Sequence, residues 1–247
     1  MKIKLVGTGS IGANERSAST LIDDKLLVDL GNGIAKTIVL EGDRLEDIES
    51  ILITHLHGDH YADIPFYLLD RMDMEDLKEI NIYCPKDTQR RVKELYRLFF
   101  GDNSINHLEE KLEKIKVKFV EFENMDRVEV IKGYFVTSYI VSHGDCAPAY
   151  GFVVEHDGKK IGFSGDSIVC DGVNNIVKEC DVLVLDTSLL VGEGAHMGFN
   201  DVHAFAKKYP KKIFIATHLK PRTRQFALEN RITNLIIPND GSTIEIE

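Results

Sequence analysis

The chain has 247 residues, 43% hydrophobic and 28% charged, a balance that builds an apolar core under a charged surface and excludes a disordered chain. A net charge of -10 excludes a generally basic face that holds nucleic acid by phosphate neutralisation alone, so double-stranded DNA is not an expected partner. No apolar run is long enough to span a membrane, and the start, Met1 to Gly7, turns polar too quickly for a signal peptide; a cytoplasmic protein without a membrane partner is predicted.

In chain order, strand-like runs at Lys2–Val6, Leu26–Asp29 and Ser50–Ile53 lead to the sequence Thr-His-Leu-His-Gly-Asp-His at residues 54 to 60. Helical periodicity follows over Ala62–Arg71, a strand over Ile80–Tyr83, and helices over Thr88–Phe100, stopped by Gly101, and Ile105–Ile115. Strands are predicted at Val117–Phe122 and Tyr134–Val141, and a hairpin joins Tyr150–Glu155 to Lys160–Phe163 through His156-Asp157-Gly158-Lys159. That turn chemistry makes His156 a surface turn residue. Strands at Val182–Leu185, Lys212–Ala216 and Thr243–Ile246 bracket a helix over Val202–Tyr209, capped by Asn200 or Asp201.

The first half reads largely as strands, and the interleaving predicts helices packed outside stacked sheets. His107 and His203 fall on helices and read as ordinary surface or packing histidines. Neither a repeat nor a linker divides the chain, so residues 1–247 are predicted to form one domain. Cys84, Cys146, Cys170 and Cys180 lack CxxC spacing and read as reduced thiols, with Cys146 a small side chain in a loop three residues after His143.

The histidine cluster carries the chemistry. His55 and His57, two apart on a segment leaving a buried strand, can point the same way and hold one metal. Asp59 and His60 follow Gly58, where the chain turns, and could hold a second. Other ligand-type residues stand at the C-terminal ends of predicted strands: His143, Asp166 and His218, with Asp29 and Asp186 closing two further apolar runs. Taken singly, Asp29 or Asp186 reads as a turn former or helix cap. Together, these histidines and carboxylates suit two borderline cations, one bridging carboxylate and an open position for water.

The HxHxDH pattern of His55, His57, Asp59 and His60, the strand-end His143, Gly165-Asp166-Ser167 and Thr217-His218 resemble the metallo-β-lactamase superfamily over nearly the whole chain. The resemblance implies a four-layer αββα sandwich, an α/β fold in which one metal is held by His55, His57 and His143, the other by Asp59, His60 and His218, with Asp166 bridging. Within the superfamily, Gly7-Thr8-Gly9-Ser10 with Arg16 and Ser19, Val28-Asp29-Leu30-Gly31, Thr217-His218-Leu219-Lys220-Pro221-Arg222 and Asp240-Gly241 are similar to the ribonuclease Z group and its small cyclic-phosphodiesterase relatives. His196, in Gly194-Ala195-His196-Met197, stands where that group has a GHST motif whose histidine serves the leaving group, and Asp186 stands where it has the glutamate that orients this histidine. The serine and threonine of that motif are replaced, the carboxylate is shorter, and the long Gly/Pro-rich basic insertion that clamps tRNA is absent from the sequence.

The resemblance thus implies a dinuclear metal-dependent hydrolase, zinc first and manganese or iron as alternatives. A metal-bridging hydroxide would cleave a phosphodiester in a nucleotide, a cyclic phosphate or an RNA 3′ segment. Asp59, His196 and Asp186 are the catalytic candidates, and Arg16, Lys220 and Arg222, with Arg224 nearby, the candidates for phosphate binding. Hydrolysis of a lactone or thioester on the same fold is the alternative, because a metal-activated water attacks a carbonyl by the same chemistry. A metal-binding scaffold without turnover is a third reading, which an open coordination position disfavours. The sequence allows a homodimer.

Overall fold

The structure is a computed structural model describing residues 1–74, 78–125 and 127–246, with the side chains of residues 105, 107 and 111 set aside, so the expectation for the His107 side chain lies outside the described residues. Two seven-stranded sheets face each other. The first runs in the order β14 (Ser242–Glu245), β1 (Lys2–Gly7), β2 (Ser19–Ile22), β3 (Leu26–Val28), β4 (Ser50–Leu52), β5 (Ile80–Cys84), β6 (Val117–Glu121). The second runs β13 (Leu235–Ile236), β12 (Ile213–Thr217), β11 (Val182–Asp186), β10 (Lys159–Phe163), β9 (Ala149–His156), β8 (Tyr134–Val141), β7 (Arg127–Ile131).

Each sheet is half antiparallel and half parallel. β3 to β6 are mutually parallel in the first and β10 to β13 in the second. The parallel strands β3, β4 and β11 are short and buried at every position, as sheets covered on both sides require. Helices α1 (Ile34–Leu40), α3 (Ile64–Arg71), α4 (Thr88–Phe100) and α5 (Ser104–Leu112) cover the outer face of the first sheet, through contacts such as Ile38, Leu68 and Val92 with Ile51 and Ile82. Helices α6 (Asp171–Glu179), α7 (Phe199–Lys208) and α8 (Pro221–Glu229) cover the second, through Ile176, Val202 and Ala227 against Leu183 and Phe214.

A third core lies between the sheets. Leu5, Ile22, Leu26 and Leu52 of the first meet Phe152, Ile161, Val184 and Ile215 of the second. Each such side chain contributes about 1.5–3 kcal/mol of burial free energy, which is why the two sheets hold their facing edges in fixed positions. These layers are the predicted αββα sandwich. Among the described residues no helix is long and apolar enough to cross a membrane.

Several local expectations change. A helix in the first half is unexpected: α1 begins after Gly33, in a left-handed conformation with no side-chain cap, so it lacks a sequence start signal. α6 contains Gly172, Asn174 and Asn175, weak helix formers that hide its periodicity. β2 is buried at every position and shows no alternation, and β13 has only two residues. His156 is not a turn residue. It ends β9, its ring stacks on Tyr134 and its Nδ1 lies 2.9 Å from the Gly133 carbonyl, leaving Asp157-Gly158 as the turn. α7 starts at Phe199, and Asp201 sits inside it, accepting the Gly198 N–H at 2.9 Å. His203 lies on α7 against Phe199, as an ordinary packing histidine. The four cysteines are free thiols.

Candidate metal centre and active site

The predicted ligands come from both sheets, mostly where strands end. The turn after β4 carries His55 and His57, and the short helix α2 (Gly58–Tyr61) carries Asp59 and His60. His143 follows β8, Asp166 follows β10, and His218 follows β12. A rigid sheet edge fixes each backbone while the loop beyond frees the side chain. Two tight spots need glycine. At Gly31 a Cβ would stand 1.8 Å from the Asp59 carbonyl oxygen, so only a bare Cα lets the ligand-bearing turn approach β3. At Gly165 (φ +57) a Cβ would meet the Tyr150 carbonyl at 2.6 Å, and this glycine swings Asp166 into the centre.

His55, His57 and His143 form one group of ligand atoms and Asp59, His60 and His218 another, in each case within 4.8 Å of one another. Asp166 joins them: its Oδ2 is 3.3 Å from His218 Nε2, 3.4 Å from His60 Nε2 and 3.9 Å from both His55 Nε2 and His143 Nε2. His143 Nε2 and His57 Nδ1 lie 3.0 Å apart, and His218 Nε2 and Asp59 Oδ2 3.2 Å apart. His57 is exposed at the rim, whereas the other six are buried.

This donor set fits divalent cations. The Nε2 atoms of His55 and His60 are buried with no hydrogen-bond partner, which costs free energy unless a Lewis acid takes their lone pairs. The opposite ring nitrogens are held: His60 Nδ1 by Asp29 at 2.8 Å, His143 Nδ1 by the Ala195 carbonyl at 2.8 Å, His218 Nδ1 by Ser188 Oγ at 2.6 Å, and His55 Nδ1 by Thr54 Oγ1 at 3.0 Å. Anchoring one nitrogen fixes the tautomer and aims the other, the arrangement that orients metal-binding imidazoles.

The electrostatics agree. Burial alone would raise the Asp166 carboxyl, but the surrounding imidazoles, His218 and His60 foremost, hold it well below the usual carboxylate range. Burial, reinforced by neighbouring His60, pushes the His55 imidazole well below its usual value and keeps it neutral, the form that ligates. Burial opposes ionisation of Asp59 too, but hydrogen bonds from His218 and His60 override it and lower its pKa.

A cavity of about 260 Å³ opens beside this cluster, lined by Ser10, Ile11, His57, Asp59, Asp166, His196, His218 and Lys220. His196 Nδ1 lies 2.9 Å from Asp186 Oδ2, so the shorter carboxylate still reaches the ring. Burial would lower the His196 pKa, but its hydrogen bond to Asp186 and the charges of Asp186 and Asp166 outweigh it and raise it. Of the residues nominated for phosphate, Lys220 lines the cavity. Arg16 does not: its guanidinium is hydrogen-bonded to the Glu41 carboxylate and lies 3.3 Å from the Val6 carbonyl. Arg222 is exposed on α8 outside the cavity lining. Arg224 is buried and structural, donating to the Pro238 carbonyl at 2.7 Å and to Thr8 Oγ1 at 2.5 Å. Cys146 stands in the loop after His143, outside the ligand groups.

Sequence reasoning gives no role to Thr54 or Ser188 and reads Asp29, taken singly, as a turn former or helix cap. Asp29 accepts the Thr54 N–H at 2.8 Å and holds His60, Ser188 holds His218, and Thr54 links Asp29 to His55. The position of Asp29 at a strand end was the available signal. For Ser188, two residues after Asp186, there was none.

A family model described as a beta-lactamase superfamily domain matches residues 25–219. A ribonuclease Z of Mycolicibacterium gilvum (strain PYR-GCK) is 28% identical over 199 residues, covering 74% of this chain and 68% of that protein. Among solved structures, the short form of human tRNase Z superposes with a TM-score of 0.77 at 20% identity over 100% of both chains. A diphosphatase from the PhnP family does so with a TM-score of 0.74 at 18% identity, over 100% of this chain and 98% of the other.

Proposed function

The chain belongs to the beta-lactamase superfamily and is a metal-dependent hydrolase, and on that footing we propose that residues 1–247 form one dinuclear phosphodiesterase domain acting on a nucleotide, a cyclic phosphate or an RNA 3′ segment. The observation that carries this reading is a single cavity lined by His57 of one ligand group, Asp59 and His218 of the other, Asp166, Lys220, and His196 with its hydrogen-bonded partner Asp186 behind it. Ile11 is its one large apolar lining residue, which suits an anionic substrate better than an apolar acyl group.

His55, His57 and His143 would hold one cation, Asp59, His60 and His218 the other, and Asp166 both, with zinc as the first choice and manganese or iron as alternatives. Such a pair supplies Lewis acidity toward a phosphoryl oxygen and makes a water nucleophilic at neutral pH. Lys220 holds a non-bridging oxygen by charge-assisted hydrogen bonds. Asp59, beside His218 in the cavity wall, accepts a hydrogen from the attacking water and orients it. His196 gives the proton on its Nε2 to the departing oxygen, while Asp186 accepts from Nδ1 and keeps the ring in that tautomer. Its raised pKa keeps that proton available near neutrality.

Relatives named ribonuclease Z and a diphosphatase among the structural neighbours support phosphorus chemistry. The test is to load the purified protein with zinc or manganese and compare bis-p-nitrophenyl phosphate, a 2′,3′-cyclic nucleotide, a precursor tRNA and a lactone panel. Turnover of a phosphodiester supports the reading. Activity on lactones with none on any phosphodiester overturns it.

A further inference from the structure

Ser188 is fully buried next to His196 and His218 of the cavity wall, and its hydroxyl oxygen touches both halves of the machinery. It is 2.6 Å from His218 Nδ1, 2.7 Å from Asp186 Oδ1, 3.0 Å from the His218 carbonyl and 3.3 Å from His196 Nδ1. The serine itself is fixed: its N–H donates to Asp186 Oδ1 at 3.0 Å, and its carbonyl accepts from Thr223 Oγ1 at 2.8 Å.

A hydroxyl has one hydrogen to give and lone pairs to receive with. If His218 presents Nε2 to a cation, its Nδ1 carries hydrogen and must donate to Ser188 Oγ. The serine hydrogen then goes to Asp186, the shorter and charged acceptor. The other oxygen of Asp186 receives the Ser167 N–H at 3.1 Å and His196 Nδ1 at 2.9 Å. One unbroken chain of hydrogen bonds therefore runs from His218 through Ser188 and Asp186 to His196.

The backbone of His218 is itself held in an unusual conformation. Its φ of 55 lies in the left-handed region, uncommon for a residue with a side chain, and strained residues persist where surroundings over-determine them. Ser188 accepts from the ring of this residue, and its hydroxyl oxygen lies 3.0 Å from the residue's carbonyl.

We propose that Ser188 is a positioning residue that fixes the ring of His218 for cation binding and ties it, through Asp186, to the histidine that serves the leaving group. This inference rests on the assignment of His218 and His196 made above, but its first readout needs no turnover. Removal of the hydroxyl leaves the His218 ring without its acceptor, so its lone pair is no longer aimed, and loosens Asp186 beneath His196.

The experiment compares the unsubstituted chain, Ser188→Ala, Ser188→Thr and His196→Ala, first for zinc affinity by competition with a chromophoric chelator and then for turnover of diesters with good and poor leaving groups. Ser188→Ala should weaken the zinc site held by His218 by about 10- to 100-fold, the range for loss of a group that orients a ligand. Ser188→Thr, which keeps a hydroxyl, should recover most of that affinity, and His196→Ala should retain it fully. On reloading at saturating zinc, Ser188→Ala should lose more rate with the poor leaving group than with the good one. Unchanged zinc affinity in Ser188→Ala, or a threonine variant no better than alanine, would overturn the proposal. Failure of the unsubstituted chain to bind zinc would instead sink the underlying reading of the site, and activity confined to lactones would sink only its substrate class, since the affinity comparison still decides the role of Ser188. A circular-dichroism melt of each zinc-free variant identifies a folding defect, in which case the threonine variant alone carries the comparison.

Discussion

His60 Nδ1 lies 2.8 Å from Asp29 Oδ2, an imidazole and a carboxylate brought together from 31 residues apart by the pairing of β3 with β4. The same carboxylate accepts from the backbone and hydroxyl of Thr54, so one side chain sets both the ring of His60 and the entry to the His55–His60 turn. Asp29→Ala should therefore weaken cation retention by about 10- to 100-fold. It should also lower thermal stability, since each buried donor left unsatisfied costs about 1–3 kcal/mol. Chelator competition and a thermal melt check the two effects, and wild-type behaviour in both would show that Asp29 is only a turn former.

His57 stands exposed at the rim, with Nδ1 3.0 Å from His143 Nε2. Its ring contributes little to the core, so His57→Ala should keep the melting temperature of the metal-free protein within a few degrees while lowering bound metal and abolishing turnover. Elemental analysis and a single-substrate assay measure this.

His196→Ala should keep both cations and lose rate, most severely with poor leaving groups, because a proton donated to the departing oxygen matters more as that oxygen becomes more basic. A leaving-group series gives the slope directly. An alkyl ester hydrolysed as fast as by the wild type would remove His196 from its assigned role.

Much of this centre is legible in the sequence because its chemistry is local. His55, His57, Asp59 and His60 fall in one turn, and His143, Asp166 and His218 each follow an apolar run that reads as a strand. The supporting layer is not legible, because its partners are chosen by tertiary packing. Nothing near Arg16 in sequence says that its guanidinium faces Glu41, 25 residues on, and nothing near Ser188 points to His218, 30 residues on. Helices without start signals, such as α1, and a strand buried at every position, such as β2, stay hidden for the same reason: the evidence for them lies in what covers them.

Gly165→Ala should be strongly destabilising. The position has φ +57, and the added methyl would meet the Tyr150 carbonyl at 2.6 Å, so the backbone must shift and carry Asp166 with it. A loss of about 1–3 kcal/mol is expected for strain of this kind, together with reduced bound metal. Denaturant unfolding with elemental analysis tests both.

A pH dependence is expected away from the centre. Burial would raise the Glu41 carboxyl, but its ion pair with Lys4, at 2.9 Å, and the hydrogen bond from Arg16 outweigh it and lower its pKa. A depressed folded-state pKa gives stability that is present above the unfolded value and lost as pH falls through the folded one. Glu41→Gln should thus cost about 1 kcal/mol or less at neutral pH and nothing once Glu41 is protonated in both states. Melting curves at neutral and acid pH would reveal this convergence, and a constant difference between them would contradict it.

The most direct measurement is anomalous diffraction at the zinc edge from crystals of the zinc-loaded protein. Two peaks about 3.5–4 Å apart are predicted, one among His55, His57 and His143 and one among Asp59, His60 and His218, with Asp166 between them. Zinc bound elsewhere, or no peak among these seven side chains, would contradict the account.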